Sequence, residues 1–306
     1  MHNSYGYRPY FLRETRDGHQ WLLPLMEVKS WLTGNRAVAL PFTDQVPVGN
    51  GANGAREELL EQCRVLGKSR GWKTVEVRCG ELAGQEAAQY FGHLLELPDN
   101  EGSCFDAVSG NHRRNIRKAA KAGVQVQIDN SPAGMERFYR LNALTRKRHG
   151  LPPQPRRFFR EIQQGMLDCG LGHIGIATHN GRDLAANIYL HFNDQVVYKY
   201  GAADLHQSAA GASTLLMWEM IRFFIGEGYR QLDFGRTDLH HDGLRRFKSG
   251  WGATEQPFSY LRINIKNGRQ IRDSASQVSG RHNAVFRLMP VTVLELAGRL
   301  LYRHMG

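Results

Sequence analysis

Three segments of alternating apolar and polar residues, His173–Thr178, Leu184–His191 and Val196–Ala202, follow one another with only Asn180-Gly181 and Asn193-Asp194 to turn the chain between them. Such pairs accept the positive φ that tight hairpin turns require, so the stretch predicts an antiparallel three-strand meander. A long helix from about Ala210 to Glu227 comes next, with Leu215, Trp218, Ile221, Phe224 and Ile225 facing inward, and then a short buried strand, Gln231–Phe234. A doubly wound nucleotide-binding sheet needs repeated βαβ crossovers, and a meander broken by one long helix does not supply them.

The rest of the chain fits around this element. Short strands are expected at Tyr10–Arg13, Gln20–Pro24, Arg36–Leu40, Thr74–Arg78 and His93–Leu97, with a helix over Glu57–Ser69 stopped by Gly71. Asn111–Ala122 reads as a basic helix closed by Gly123 and leading into the strand Val124–Ile128. Ser131-Pro132 opens another helix, with Ser131 as its cap and Pro132 in its first turn. A further helix follows Pro152-Pro153, His241–Ser249 is helical, and Pro257–Ile265 is a closing strand. Domains are expected at residues 1–108 and 109–283, with an amphipathic helix over 284–306.

At 306 residues, two domains are the natural expectation. The formal net charge of +11 favours polyanionic partners: RNA, an anionic lipid surface or a phosphorylated substrate. Cys63, Cys79, Cys104 and Cys169 form no C-x-x-C pair and no zinc spacing, and read as idle thiols in a reducing compartment. The N-terminus has no apolar export segment, and no run of apolar residues is long enough to span a bilayer, so a cytoplasmic location is expected.

Several segments carry candidate chemistry. Gln207, Ser208, Gly211, Ala212 and Ser213 lead from a strand into the long helix, where small residues and unpaired amides suit the anionic part of a carrier, or a tight turn. Asp233 and Arg236 stand at the mouth of a buried strand, a place for catalysis or for a buried ion pair. Lys248, between Phe247 and the Gly-flanked Trp251, is either an oxyanion stabiliser or a solvated lysine. Tyr198 and Tyr200 are expected on one strand face, with Tyr200 able to relay a proton. Asn187, Tyr198 and Trp251 are the expected substrate contacts. Arg113, Arg117 and Lys121 form a basic stripe flanked by Arg114 and Lys118, a phosphate contact or a solvated face. Asp238-Leu239-His240-His241-Asp242 lacks a spaced third ligand, so no metal is expected.

Arg113-Arg114-Asn115-Ile116-Arg117-Lys118-Ala119, Gly211–Trp218, Asp233-Phe234-Gly235-Arg236 and Phe247-Lys248-x-x-Trp251-Gly252 occur in that order. Together they resemble the FemAB-type transferases, a group related to the GNAT acyltransferases, over roughly Tyr7 to Arg262. The resemblance implies an α/β (α+β) fold with two GNAT-like domains and mixed, mostly antiparallel sheets. It implies transfer of an aminoacyl or acyl group from aminoacyl-tRNA or acyl-CoA to an amine of a cell-envelope or polysaccharide precursor. No cofactor is permanently bound, and Lys248 falls at the position thought to stabilise the tetrahedral intermediate. Two departures are visible. The family's coiled-coil arm is absent, which bears on tRNA use, and the strand and helix that normally precede Tyr7 are missing. The glycine after Gln207 also falls one residue late for the usual R/Q-x-x-G-x-G/A carrier loop. The rivals are a CoA-dependent N-acyltransferase of a small amine and a non-catalytic RNA- or membrane-binding protein on the same shell. The tail, with Val293, Leu294, Leu296, Leu300 and Leu301 beside Arg287, Arg299 and Arg303, suits docking on protein or peripheral contact with an anionic membrane.

Overall fold

The computed structural model describes residues 1–49, 55–83, 90–204, 211–271 and 281–305. The chain begins with α1 (His2–Tyr5), β1 (Arg8–Arg16), β2 (His19–Val28), β3 (Arg36–Val38), α2 (Arg56–Arg70), β4 (Thr74–Val77) and α3 (Gly80–Ala83). Then come β5 (Tyr90–Glu96), α4 (Glu101–Ala107), α5 (Gly110–Lys121), β6 (Gln125–Ile128), α6 (Pro132–Arg148) and α7 (Arg156–Ile162), which runs on as a π-helical turn over Gln163–Leu167. The meander is β7 (Gly172–His179), β8 (Arg182–Phe192) and β9 (Gln195–Ala203). After it follow α8 (Ala212–Gly226), β10 (Gln231–Asp233), β11 (Thr237–Asp238), α9 (Asp242–Ser249), β12 (Thr254–Phe258), β13 (Leu261–Asn264), α10 (Arg281–Leu288) and α11 (Val291–Leu301).

Two compact units result: Met1–Tyr90 with Pro257–Val278 and Arg299–Gly306, and Phe91–Gln256 with Ser279–Gly298. These bounds differ from those expected at 108/109 and 283/284. β5 joins the second sheet through antiparallel pairing with β10, while β13 returns to the first by pairing with β4. Both are pairings between segments far apart in sequence, which no local pattern marks.

The first unit holds a five-stranded sheet in the order β1-β2-β3-β4-β13, mixed because β3 and β4 run parallel. Leu23, Leu25, Ala37, Leu59, Cys63, Val75, Val77 and Leu261 build its core between sheet and α2. Glu27 is buried there, and its carboxylate accepts from Arg70 and from the indole of Trp72. These donors hold it below the usual carboxylate range against the opposing effect of burial.

The second unit holds an eight-stranded sheet ordered β11-β5-β10-β9-β8-β7-β6, with β12 on β5. β6–β7, β7–β8, β8–β9 and β5–β10 pair antiparallel, whereas β10 runs parallel to β9. Asn180 and Gly181 both take positive φ, 50° and 72°, as the tight turn between β7 and β8 requires. Ser131 caps α6 by accepting from the Gly134 amide, with Pro132 following it. Against the sheet, α8 buries Leu215, Leu216, Met217, Met220, Ile221 and Phe224. The short α4, which the sequence did not mark, is capped by Asn100, whose side chain accepts from the Gly102 amide. Among the described residues no helix is long and apolar enough to cross a membrane, and no group of three or more His, Cys, Asp or Glu side chains is placed to hold a metal. His241, from the tempting His-His pair, instead caps α9 through Nδ1 and the Leu244 amide.

Candidate active site

β9 and β10 pair over only three residues, Gln195–Val197 against Gln231–Asp233. Beyond them β9 runs on to Ala203, while the other chain turns away at Gly235, whose φ is 70°. The sheet is thus parted along β9 from Tyr198 to Ala203. A pocket of about 190 Å³ lies beside that edge, lined by Thr145, Arg148 and His149 of α6 and its end, Asn187 of β8, Tyr198 and Gly201–Ala203 of β9, Ser213 and Met217 of α8, and Phe247 of α9.

A register shift shapes the pocket wall. Tyr189 faces Tyr198 across the β8–β9 ladder, but Ile188 faces Tyr200, so Lys199 is an extra residue, a bulge. The expected shared face for Tyr198 and Tyr200 is therefore corrected. Tyr198 packs with Tyr189 on the side of α8, whereas Tyr200 lies among Phe138, Phe158 and Phe159 of α6 and α7. Tyr200 contributes no surface to the pocket. Tyr198 does, and its hydroxyl fills the space above Gly201, where a Cβ would come within 1.7 Å of it. Burial pushes this phenol up to about 12, so it stands as a neutral donor. Asn187 donates to the Tyr189 hydroxyl at 2.9 Å, which in turn donates to the Met217 sulfur at 3.3 Å.

The entrance to α8 forms the opposite wall. Gly211 is its cap, with φ of 99°, and a Cβ there would lie 2.4 Å from the Asn115 carbonyl oxygen of α5. Only glycine meets both conditions. With no capping side chain, the first-turn amides beside Ala212 and Ser213 offer donors to an anion or a carbonyl. Gln207 and Ser208 lie outside the described residues.

Lys248 is buried, 4% exposed, and donates to the carbonyls of Gly235 and Arg236, both at 2.9 Å. It is not a solvated lysine. Asp233 accepts from the Gly235 amide at 2.7 Å and so shapes the same turn, while the Arg236 side chain is exposed. Trp251 is fully buried against His112 and Phe247 and presents no surface to a ligand. On α5, Arg114, Arg117 and Lys118 are exposed and Arg113 half-buried, and none of the four pairs with a carboxylate among the described residues.

Two groups escaped the sequence reading. His149 lines the pocket, and its imidazole is held below its ordinary value by burial, then by the charges of Arg148, Arg146 and Arg287 and by His241. The run Arg146-Lys147-Arg148-His149 was its signal. His93 of β5, 1% exposed, contacts Glu255 at 3.1 Å, and Glu255 also accepts a two-point ion pair from Arg245. Burial and then the Lys248 charge hold His93 low.

Residues 107–253, which hold the parted sheet edge and the start of α8, match the family model described as an acetyltransferase (GNAT) domain. A UDP-N-acetylmuramoylpentapeptide-lysine N(6)-alanyltransferase from Weissella viridescens is 24% identical over 157 residues, covering 51% of this chain and 46% of that protein. The chain thus spans about half the length of this curated relative. The crystal structure of FemX shares the fold with a TM-score of 0.66 at 14% identity, over 84% of this chain and 88% of FemX. The C-terminal domain of a putative lysylphosphatidylglycerol synthetase from Agrobacterium fabrum does so with a TM-score of 0.56 at 12% identity, over 82% of each chain. The chain is thus similar to the FemAB-type, GNAT-related transferases.

The Gly211 site yields a direct test. Gly211→Ala should lower unfolding stability by about 1–3 kcal/mol, read from denaturant midpoints. A wild-type midpoint would show that the α8 entrance does not sit against α5 as described.

Proposed function

We propose that this protein is an aminoacyl- or acyltransferase that moves its group from an activated carrier to an amine of a cell-envelope precursor. The parting of β9 from β10 beside the start of α8 carries this reading, because it gives a carbonyl a place within reach of main-chain donors. The named activity of the Weissella viridescens relative supports the choice of an aminoacyl group and a peptidoglycan-type acceptor. The carrier is aminoacyl-tRNA or acyl-CoA. The uncompensated cations Arg114, Arg117 and Lys118 favour a polyanionic carrier, for which RNA is the better match.

In this mechanism the acceptor nitrogen attacks the carrier's ester or thioester carbonyl directly. A C–N bond forms, and negative charge gathers on the former carbonyl oxygen. The α8 amides and the Tyr198 hydroxyl donate to that oxygen, and Lys248, fixed between two carbonyls, supplies a nearby positive charge. His149, held neutral, takes the proton lost by the amine. Collapse then breaks the bond to the carrier, which leaves with a proton as an alcohol or thiol. Asp233, Arg236 and Gly235 act together by holding the turn that keeps the strands apart.

Peripheral membrane contact belongs to the same reading. Val285 and Leu288 of α10 and Val293, Leu296 and Leu300 of α11 are exposed, with Arg287 and Arg299 among them.

Transfer of a radiolabelled group from aminoacyl-tRNA, and separately from acyl-CoA, to a peptidoglycan precursor tests the proposal. Lys248→Ala should lower turnover about a hundredfold or more, and a near-wild-type rate in a folded variant removes Lys248 from the chemistry. Activity should fall as pH drops through the depressed His149 value, below about 6.5, because the protonated ring cannot accept a proton. His149→Ala should lose that acid limb, and an unchanged pH profile assigns the base elsewhere. In flotation with phosphatidylglycerol-containing vesicles, Leu288→Asp should lower recovery about tenfold, whereas equal recovery rejects the membrane contact.

A further inference from the structure

A groove between α6 and α7 takes no part in the transfer chemistry above. Its volume is about 450 Å³, against about 190 Å³ for the pocket beside β9, and falls in the range of small-molecule sites. Met135 and Tyr139 of α6 and Phe159 of α7 make its lining largely apolar.

Its polar groups are unequally satisfied. Arg156 is neutralised by Glu136 and Glu295 and lies over the Tyr139 ring at 4.2 Å. Arg160, exposed at the edge, pairs with no carboxylate among the described residues. Gln163, 5% exposed, also lines the groove. Its Nε2 donates to the Asn130 carbonyl at 2.7 Å and to Asp168 at 2.6 Å, which fixes the amide's orientation. That leaves Oε1 buried and without a donor among the described residues, so this oxygen marks a polar end of the groove and is not a contact for an anion, which has no hydrogen to give it. Gln163 also begins the π-helical turn, an arrangement that recurs at functional sites. α11 reaches the groove's edge through the Glu295–Arg156 pair and exposes Val293 and Leu296.

We infer that this groove binds an anionic amphiphile with a single apolar chain. The chain lies along Met135, Tyr139 and Phe159, and a carboxylate or phosphate headgroup pairs with Arg160. The exposed apolar side chains of α11 give such a chain a dry path from a lipid surface to the groove. The site stands independently of the transferase reading, because neither Lys248 nor the α8 entrance contributes to it.

The test is displacement of a dansyl-labelled fatty acid from the full chain by laurate, dodecyl phosphate and dodecanol, each below its critical micelle concentration. One saturable site is expected. Arg160→Ala should weaken the two anions about tenfold and leave dodecanol unchanged. The better of laurate and dodecyl phosphate identifies the headgroup. Met135→Trp should fill the groove and abolish binding of all three. Because Met135 is buried, that variant is checked by circular dichroism, and the surface variant Arg160→Glu carries the test if it does not fold. The inference is overturned by a lack of saturable binding, or by affinities that Arg160→Ala and Arg160→Glu leave unchanged.

Discussion

Two main-chain carbonyls just past the end of β10, those of Gly235 and Arg236, accept from a buried ammonium rather than from a neighbouring strand. A parted sheet must find partners for the backbone groups that the ladder no longer satisfies. Lys248 provides them from α9, and Asp233 does the same for the Gly235 amide. The opening beside β9 exists because these side chains stand in for strand pairing. The pocket, the exposed edge of β9 and the access to the α8 entrance follow from that substitution.

The local elements were largely written in the chain. Asn180-Gly181 and Asn193-Asp194 announced the hairpins, and Asn180 and Asn193 do adopt positive φ. Ser131 and Pro132 opened α6 where expected. Pairing between distant segments was less legible. Nothing within Tyr90–Glu96 shows that this strand will lie against β10, and nothing within Leu261–Asn264 shows that it will return to β4. Such contacts depend on which edge is free once the rest has folded.

The site was legible as a neighbourhood rather than as a set of directions. Asn187, Tyr198, Ser213 and Phe247 do converge on one pocket. The bulge at Lys199 carries no glycine or proline to announce it, so simple alternation put Tyr200 on the wrong side of the sheet. Trp251 looked available because glycines flank it, yet its ring is core. His149 was passed over because it ends a run of basic residues that reads as solvated surface, although its position at the end of α6 brings it to the pocket.

The last residues of the chain bear on how the protein is made. Tyr7 donates to the carbonyls of Tyr302 and Met305, His304 contacts Ser30, and β13 completes the first sheet. During synthesis on a ribosome, the N-terminal segment therefore emerges long before the strand and tail that finish its unit. The other unit, apart from α10 and most of α11, has all its strands available earlier. The first sheet, lacking only β13, must wait with β4 as an open edge while the long stretch from α3 to β12 is still being added.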